Sequence, residues 1–438
     1  MNQLVQFDPA HDELIADMEF DFSGTKLCTV GSDHTIKVWQ SRPETGQWKL
    51  LSSWSGHDSS LTKVCWAHPE FGNLIATGSF DRTVRIWQQT SNQNSAAGAG
   101  LDTVYPNADG QVEELAAEGG INRWHHIATK KDAQGMIVDL AFAPHYMGLQ
   151  LAAASSDGFV RIYETGSPVR FDNWTLASEI DVNGIAVYAP YLEHRTDSAD
   201  EAETTTPAVH TTAATATTTS LGAQTEAATP AGTDSSVTGG ASHAGNGEDS
   251  LVDAAEKSLL VQSNTLQEAG NNVCIAWCPT RFLPNTLAVG CGREKDAKIY
   301  RYINNRWVVY AVLPDHTDIV HTISWAPQVG RSYHLLATGS RDHYVRIFKV
   351  EASYGHIALT ETKDLVEEYT ANASNLHIKA SLIAAFSDHN AEVWSVSWNV
   401  TGTILSSSGD DGKVRLWKAS STGEWSEIQT IATEQGTE

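Results

Sequence analysis

Histidine and aspartate recur as a spaced pair along this chain, and the pair is the first pattern that could carry chemistry. The histidine precedes the aspartate by 22 to 26 residues in four places: His11 and Asp33, His57 and Asp81, His316 and Asp342, and His389 and Asp411. A histidine oriented by an aspartate can activate a nucleophile. However, no nucleophile elbow accompanies these pairs, and a single active site would not recur in several places. We interpret the pairs as structural and expect no enzyme activity.

Two other patterns could bind a ligand. Cys274 and Cys278 are separated by three residues, which allows a zinc pair. They alternate with apolar residues, however, and this favours small core side chains in a strand. The glycines at 290 and 292 could begin a phosphate loop, but no helix start and no Lys-Ser/Thr pair follows them. We therefore expect no metal and no cofactor.

The element that must position the aspartates is a repeated strand. Five times an aspartate is followed six residues later by an aromatic residue: Asp33 and Trp39, Asp81 and Trp87, Asp157 and Tyr163, Asp342 and Phe348, and Asp411 and Trp417. An aspartate suits a tight hairpin because its carboxylate accepts hydrogen bonds from nearby backbone N–H groups. We predict that Asp33, Asp81, Asp157, Asp342 and Asp411 are structural turn residues.

The repeat predicts the whole architecture. Each unit begins with an alternating strand that ends in an aromatic residue, and there are six such strands: 15–20, 62–66, 137–142, 273–277, 320–325 and 393–398. Units of this kind are typical of WD40 propellers, whose blades bury their apolar faces only against neighbouring blades. In WD40 proteins the paired His and Asp join a Ser or Thr and the Trp in a buried hydrogen-bond network. The fold class is therefore predicted to be all-β, a six-bladed WD40 β-propeller. In the fourth unit Asp296 lies only four residues before Tyr300, so its turn is expected to differ.

These patterns also predict the domain organisation, as an N-terminal arm followed by one propeller. The arm is 1–10, the propeller is 11–438, and the blades are about 11–55, 56–134, 135–182, 271–314, 315–387 and 388–438. Two insertions, 88–120 and 195–270, are expected to be disordered. The second contains no Phe, Trp or Tyr, so it has too little apolar surface to offset its ordering entropy.

The charge of the chain limits the possible partners. The formal net charge is −24, and much of it lies in the two insertions. An acidic surface repels phosphate backbones and anionic lipid, so we expect no direct nucleic-acid binding and instead a protein partner. No stretch approaches about 18 consecutive apolar residues, so no transmembrane segment is expected. The odd number of cysteines, five, indicates a reducing compartment.

The number of strands does not decide how the ring closes. The sixth unit supplies its own fourth strand near 425–431, and the only spare strand is 4–7. One alternative is an unpaired strand beside the seam between the first and last blades, where a partner could add strands. The other is a frayed terminus packed on a closed ring.

Several stretches resemble one branch of the WD40 family, the Seh-type nucleoporins. They are VCWAHPEFG (64–72), SFDRTV (79–84), FAPHYMGL (142–149), SDGFVRIYE (156–164), GRSYH (330–334), WNVTGT (398–403) and SGDDGKVRLW (408–417), and they span all six units. The related Sec-thirteen-type coat proteins share the WAHP element, whereas the MGL, RSYH and DGxVRIY elements are more similar to the Seh type. The insertion 195–270 has no counterpart in the family pattern.

The resemblance implies an open propeller that is completed by a partner blade. An α-helical scaffold nucleoporin of the Y-shaped subcomplex, in the outer ring of the nuclear pore complex, would donate this blade in trans. The other Y-complex subunits would be further partners, in support of pore assembly and of mRNA and protein transport at the nuclear envelope. The resemblance also implies membership of a SEA/GATOR-type complex at the vacuolar or lysosomal membrane, which regulates TOR signalling. No catalytic activity or cofactor is implied.

The implied partner site is the seam between blades one and six. We expect the stretches 14–20, 36–39 and 414–417 to form it. The individual residues predicted to line the seam are Leu4, Val5, Phe7, Ile36, Val38, Val414 and Leu416.

Two other functions compete with the pore scaffold. One is a Sec-thirteen-type vesicle coat subunit at the endoplasmic reticulum, and co-purifying partners would distinguish it. The other is a peptide-reading propeller that binds phosphopeptides through basic residues in the repeated strands: Lys37, Arg85, Arg161, Arg346 and Arg415. A charge that alternates with apolar residues more often marks the solvated face of a strand.

Overall fold

The computed structural model describes residues 11–42, 46–91, 122–166, 171–184, 272–290, 292, 295–354 and 376–432. The predicted arm 1–10, with Leu4, Val5 and Phe7, lies outside the described residues, as do the insertion 195–270 and most of the insertion 88–120. The described helices are two single 3-10 turns, Pro69–Phe71 and His145–Met147. No helix in the described part of the chain is long and apolar enough to cross a membrane.

The chain forms a six-bladed β-propeller, as the repeat predicts. Each blade is a four-stranded antiparallel sheet made from four consecutive strands, so the predicted all-β class is confirmed. Blade one contains β1 (Ile15–Phe20), β2 (Lys26–Gly31), β3 (Thr35–Arg42) and β4 (Gln47–Ser55); blade two β5 (Leu61–Trp66), β6 (Leu74–Ser79), β7 (Val84–Ser91) and β8 (Asn122–Lys130); blade three β9 (Ile137–Phe142), β10 (Gln150–Ser155), β11 (Phe159–Thr165) and β12 (Trp174–Asp181); blade four β13 (Cys274–Trp277), β14 (Thr286–Gly290), β15 (Ala297–Ile303) and β16 (Arg306–Leu313); blade five β17 (Val320–Trp325), β18 (His334–Ser340), β19 (Val345–Tyr354) and β20 (Leu376–Phe386); blade six β21 (Val393–Trp398), β22 (Ile404–Gly409), β23 (Lys413–Ala419) and β24 (Trp425–Ala432).

The strand β7 extends further than the sequence suggested. It continues to Ser91, so the first four residues of the stretch 88–120 are part of a strand. Gln88 pairs with His125 and Ser91 with Asn122, and these backbone hydrogen bonds extend the hairpin although its residues are polar. The sequence pattern missed this because a strand at the outer rim of a blade needs no apolar alternation.

The core lies between blades rather than within one. In blades one to five both faces of the second strand are buried, because alternate residues face the preceding and the following blade. Small residues allow this close approach: in β6 every residue from Leu74 to Ser79 is buried. A side chain at Gly78 would place its β-carbon 2.5 Å from Ile137 of blade three, so only glycine fits there.

A β-bulge recurs in all six blades, directly before the aromatic residue of the repeat. The register between the third and fourth strands shifts at Val38/Trp39, Ile86/Trp87, Ile162/Tyr163, Ile299/Tyr300, Ile347/Phe348 and Leu416/Trp417. A bulge places two residues of one strand opposite one of its partner and increases the local twist. The twist that fans the outer strands of the blades is therefore built into the same position of every repeat.

The first strands of the blades line the centre of the ring and pack in chain order. β1 packs against β5, β5 against β9, β9 against β13, β13 against β17, and β17 against β21. Among the described strands, β21 has no packing of similar extent against β1. The described ring is therefore discontinuous at one place, between blades six and one.

Candidate interface at the seam between the first and last blades

The His and Asp pairs form hydrogen-bond networks inside individual blades. In blade one, His11 Nδ1 lies 2.9 Å from Asp33 Oδ2, and His11 Nε2 lies 2.9 Å from Thr29 Oγ1. The indole of Trp39 donates to the same hydroxyl over 3.0 Å. Equivalent sets connect His57, Asp81, Thr77 and Trp87 in blade two, and His389, Asp411, Ser407 and Trp417 in blade six.

The turn aspartates hold the hairpin by accepting backbone hydrogen bonds. Each one accepts from the N–H two residues further on: Asp33 from Thr35, Asp81 from Thr83, Asp157 from Phe159, Asp342 from Tyr344, and Asp411 from Lys413. Burial acts to raise the pKa of Asp33, but hydrogen bonds from Thr35 and His11 outweigh it and lower the pKa to about 2. A carboxylate held in this way is ionised and fully engaged, so it is a structural group.

Blades three and five contain the turn aspartate but depart from this network. In blade five, His316 Nδ1 lies 3.2 Å from the carbonyl of Leu313, while Asp342 is ion-paired with Arg346 at 2.9 Å. In blade three, Asp157 is ion-paired with Arg161 at 2.9 Å. A neighbouring arginine thus takes the role that histidine has elsewhere. The His–Asp pair predicted at His316 and Asp342 is wrong for this reason.

The basic residues proposed for phosphopeptide reading are either engaged in ion pairs or buried. Arg85 pairs with Asp58 at 3.0 Å, Arg161 with Glu179 at 2.9 Å, Arg346 with Asp342 at 2.9 Å, and Arg415 with Glu427 at 2.8 Å. Lys37 is buried. The four arginines lie on the third strands of their blades and are engaged in ion pairs within the chain, which disfavours a phosphopeptide site made from them.

Cys274 and Cys278 are both buried core residues. The thiol of Cys274 donates to the carbonyl of Val320 over 3.6 Å. Burial raises the pKa of Cys278 to about 12, so its thiol stays protonated. Zinc binds the thiolate form, and this environment therefore disfavours a zinc pair.

The direction in which each side chain faces identifies the two surfaces at the seam. Ile36 and Val38 pack with Leu61 and Val64 in the core between blades one and two. Their predicted place in the seam is therefore wrong. Both faces of β3 are apolar, so the alternation of the sequence could not tell which face meets blade two. Val414 is the counterpart of Ile36 in blade six and faces away from blade five, towards the seam.

The seam face of blade one consists of Ile15, Met18 and Phe20 on β1. In the other blades the residues at the Met18 position pack on the preceding blade: Val64, Leu140, Ile275, Ile323 and Val396. Here the same position is uncovered, and Met18 is 61% and Phe20 52% exposed. Leu14, which precedes the strand, is also highly exposed.

The seam face of blade six consists of Val414, Leu416 and Ile431. Ile431 lies directly opposite Val414 across the β23–β24 pair. All three are only partly buried, whereas Ile36 and Val38, at the positions of Val414 and Leu416, are completely buried. The adjoining strand β22 presents Ser406 and Ser408 on this face. The matching residues of β2 are Cys28 and Val30, so blade six carries hydroxyls where a covered blade carries small apolar groups.

A ladder of indole hydrogen bonds connects successive blades and stops at the seam. The aromatic residue that ends the first strand of a blade donates its indole N–H to a carbonyl of the preceding blade. These bonds are Trp66 to Glu19, Trp277 to Ala141, Trp325 to Ala276, and Trp398 to Ser324, all 3.0 to 3.1 Å long. The equivalent residue of blade one is Phe20, which has no N–H to donate. Phe142 of blade three also lacks one, and its ring packs against the apolar core between blades two and three.

The arrangement is suited to binding a protein. Two uncovered apolar faces border one gap, and each has the side-chain positions that elsewhere pack against a blade. Contiguous exposed apolar surface of this kind marks protein interaction sites. The sequence pointed to Val414, Leu416 and the stretch 14–20, and the two serines of β22 were the signal that it missed.

Comparison with known proteins agrees with this geometry. A family model described as "WD domain, G-beta repeat" matches residues 2–40, 48–88, 307–349 and 380–418. The chain is 31% identical to "Nucleoporin SEH1" of Saccharomyces cerevisiae, over 98% of this chain and 99% of that relative. It is 30% identical to "Nucleoporin seh1" of Schizosaccharomyces pombe, over 97% and 95% of the two chains.

A more distant relative shows how far the similarity extends. "Nucleoporin SEH1" of Homo sapiens is 29% identical over 95% of this chain and 84% of that protein. The alignments cover nearly the whole chain and so include all six blades and the surfaces on both sides of the seam. The chain belongs to the Seh1 nucleoporin family.

Proposed function

We propose that the protein is a non-enzymatic scaffold subunit of the nuclear pore complex and that a partner protein inserts a blade at the seam. The observation that carries the proposal is the pair of uncovered apolar faces, Ile15, Met18 and Phe20 on one side and Val414, Leu416 and Ile431 on the other. The relatives named nucleoporin support the location. The partner is an α-helical scaffold nucleoporin of the outer-ring Y-complex.

The inserted blade would repeat the packing seen between the other blades. Its leading face covers Val414 and Leu416 in the way that Leu61 and Val64 cover Ile36 and Val38. Its trailing face covers Met18 and Phe20. Because both faces of the insert become buried, the interface resembles a domain core cut in two, and such interfaces are large, apolar and long-lived.

In this role the protein works through assembly. As a Y-complex subunit at the nuclear envelope it supports pore assembly and the transport of mRNA and protein. A second membership, in a SEA/GATOR-type complex at the periphery of the vacuolar or lysosomal membrane, would use the same seam and would link the protein to TOR regulation. Neither role requires a catalytic group, a cofactor or direct contact with nucleic acid.

Partner capture by single variants tests the proposal. Phe20→Asp places a charge on the seam face of blade one, where a covering blade would have to desolvate it. We expect recovery of the helical partner from cells to fall at least about tenfold. The matched control is Phe282→Asp, because Phe282 is an exposed phenylalanine of blade four, 74% accessible and away from the seam. Localisation of the tagged variants at the nuclear rim gives a second readout.

Two results would contradict the proposal. One is equal recovery of the partner by both variants, which would place the interface elsewhere. The other is recovery, by the unmodified protein, of endoplasmic-reticulum coat subunits in place of nuclear-pore subunits. That result would keep the inserted blade but assign the protein to a vesicle coat.

A further inference from the structure

A pocket with positively charged walls lies between blades five and six, at the end of the propeller opposite the turn aspartates. Its volume is about 370 Å³, and its lining includes Arg331, Tyr333, Lys349, Lys418 and Trp425. The protein has a net charge of −24, so three cations around one cavity are an exception to its composition. A volume of this size accommodates a side chain or a small molecule but not a folded domain.

The pocket is made by two of the stretches that carry the family resemblance. The loop GRSYH (330–334) contributes Arg331 and Tyr333, and the loop WNVTGT (398–403) contributes Gly402 and Thr403. Neither stretch belongs to the seam or to a turn network. The proposed scaffold function therefore leaves this part of the resemblance without a role.

Arg331 is fixed in the wall by carbonyl groups of both loops. Its guanidinium donates to the carbonyl of Gly402 over 2.6 Å and to that of Pro327 over 2.7 Å. A β-carbon on Gly402 would lie 2.7 Å from the same guanidinium and 2.5 Å from the Pro327 carbonyl, so glycine is required here. These carbonyls do not neutralise the charge, and the Nε–H has no hydrogen-bond partner and is shielded from solvent.

The two lysines differ in what they contact. Lys349 lies 4.9 Å from the centre of the Tyr333 ring and is ion-paired with Glu351 at 2.6 Å, so a carboxylate already reaches this wall. Lys418 projects from β23 and forms no ion pair within the described part of the chain. Trp425, packed edge-on against Trp398, adds an apolar surface beside the cations.

We propose that this pocket binds a phosphate monoester. A phosphate dianion has three terminal oxygens and can contact two or three cations at once, which a single carboxylate does less well. Lys418 and Arg331 supply uncompensated positive charge, and Lys349 joins them when the phosphate displaces Glu351. Each arginine of the repeated strands is paired with a carboxylate, so none of them offers a cation without an ion pair, as Lys418 does here.

Binding of three probes to the full-length chain tests the site. The probes are inorganic phosphate, a labelled alanine–glycine pentapeptide with a central phosphoserine, and its serine counterpart. We expect the phosphopeptide to bind at least about tenfold more tightly than the serine peptide, and inorganic phosphate to compete with it. Phosphopeptide binding that is tighter than phosphate binding identifies a phosphorylated protein segment as the ligand, and equal affinity identifies a small phosphate compound.

The matched variants are Lys418→Glu and Lys413→Glu, which make the same charge change at the two ends of β23. We expect Lys418→Glu to weaken phosphopeptide binding at least about tenfold and Lys413→Glu to change it by no more than about twofold. Thermal unfolding of both variants shows that the fold is intact. Equal effects of the two substitutions, or no binding of either phosphate probe at millimolar concentration, would overturn the proposal.

Discussion

The third strand of blade one and the third strand of blade six occupy the same place in the repeat but have different surroundings. Ile36 and Val38 in β3 are completely buried, because blade two covers them. Val414 and Leu416 in β23 are partly buried, because no described blade follows them. The local sequences are nearly interchangeable, so the neighbour and not the strand decides the burial.

The opposite surfaces show the same difference. Val64 in β5 is buried against blade one, whereas Met18, its counterpart in β1, is largely exposed. A strand that stays apolar without a covering neighbour exposes a surface that promotes association. The comparison therefore separates residues that stabilise the fold from residues that bind the proposed partner, although both look alike in the sequence.

The largest expected effect is on stability at the covered position. Ile36→Ala should lower the free energy of unfolding by about 2–5 kcal/mol, because it leaves a cavity between blades one and two. Leu416→Ala should cost less than about 1 kcal/mol, because its site is partly solvated. Urea unfolding of the isolated chain measures both. Similar losses for the two variants would show that the seam is already covered in the free protein.

For partner binding, we expect the seam residue Leu416 to matter more than the covered residue Ile36. Leu416→Asp should weaken capture of the helical partner by at least about tenfold, since the inserted blade would bury the new carboxylate without a counter-ion. Val400→Asp is the control, because Val400 lies in a loop of the same blade and is highly exposed. The comparison fails if the two variants bind the partner equally well.

The contribution of the covered core to the free energy of unfolding should also depend on pH. Burial lowers the pKa of His316 to about 4, with the charge of Arg346 as a smaller cause. The unfolded chain takes up this proton near pH 6.5, so the stability from the neutral histidine is present above that pH and is lost as the pH falls towards 4.

Between pH 7 and pH 5 this loss amounts to about 2 kcal/mol. His316→Asn should reduce the difference in unfolding free energy between the two pH values by that amount. His343→Asn, at an exposed histidine of the same blade, should not. The seam variant Leu416→Ala should keep the full difference in unfolding free energy between pH 7 and pH 5. A smaller difference in this variant would show that the seam and the His316 site are energetically coupled.

The smallest effect concerns the residue next to Leu416. Trp417 stacks on Phe386 of blade five, and its indole donates to Ser407 of its own blade over 2.8 Å. Trp417→Phe removes one hydrogen bond and should cost about 1 kcal/mol. Phe348 occupies the equivalent position in blade five, so a phenylalanine ring can fill this site in a blade. Calorimetry measures the cost, and a loss of partner binding comparable to that of Leu416→Asp would contradict the assignment of faces.

Much of the fold could be predicted because the repeat is strong. The six alternating first strands predicted six blades, and the five aspartate-to-aromatic spacings predicted the hairpins, since a hairpin turn and a buried strand end make local demands on the sequence. The orientation of Ile36 and Val38 could not be predicted. A middle strand of a propeller is buried on both faces, so the period of two gives the alternation but not which face meets which blade.

The candidate site was predictable only in part for the same reason. The structure places Val414 and Leu416 on the face of blade six that points away from blade five. Within the predicted stretch 14–20, the exposed residues Met18 and Phe20 could be distinguished only after the neighbours of β1 were known. The pairing of Asp342 with Arg346 in place of a histidine also depends on a contact within one blade. No spacing rule distinguishes His316, which meets a carbonyl, from His57, which meets an aspartate.

The ladder of indole hydrogen bonds gives the ring a direction, so the two sides of the seam differ in hydrogen-bonding character. Each rung runs from a blade to the one before it, so blade six ends with the carbonyl of Ser397, to which no indole donates within the part of the chain that the structure describes. It accepts from the Ser406 hydroxyl instead. Blade one begins with Phe20, which demands no acceptor. An inserted blade that follows the ladder would therefore present a donor to blade six and apolar surface to blade one, so the ladder favours one orientation of the insert over the reverse.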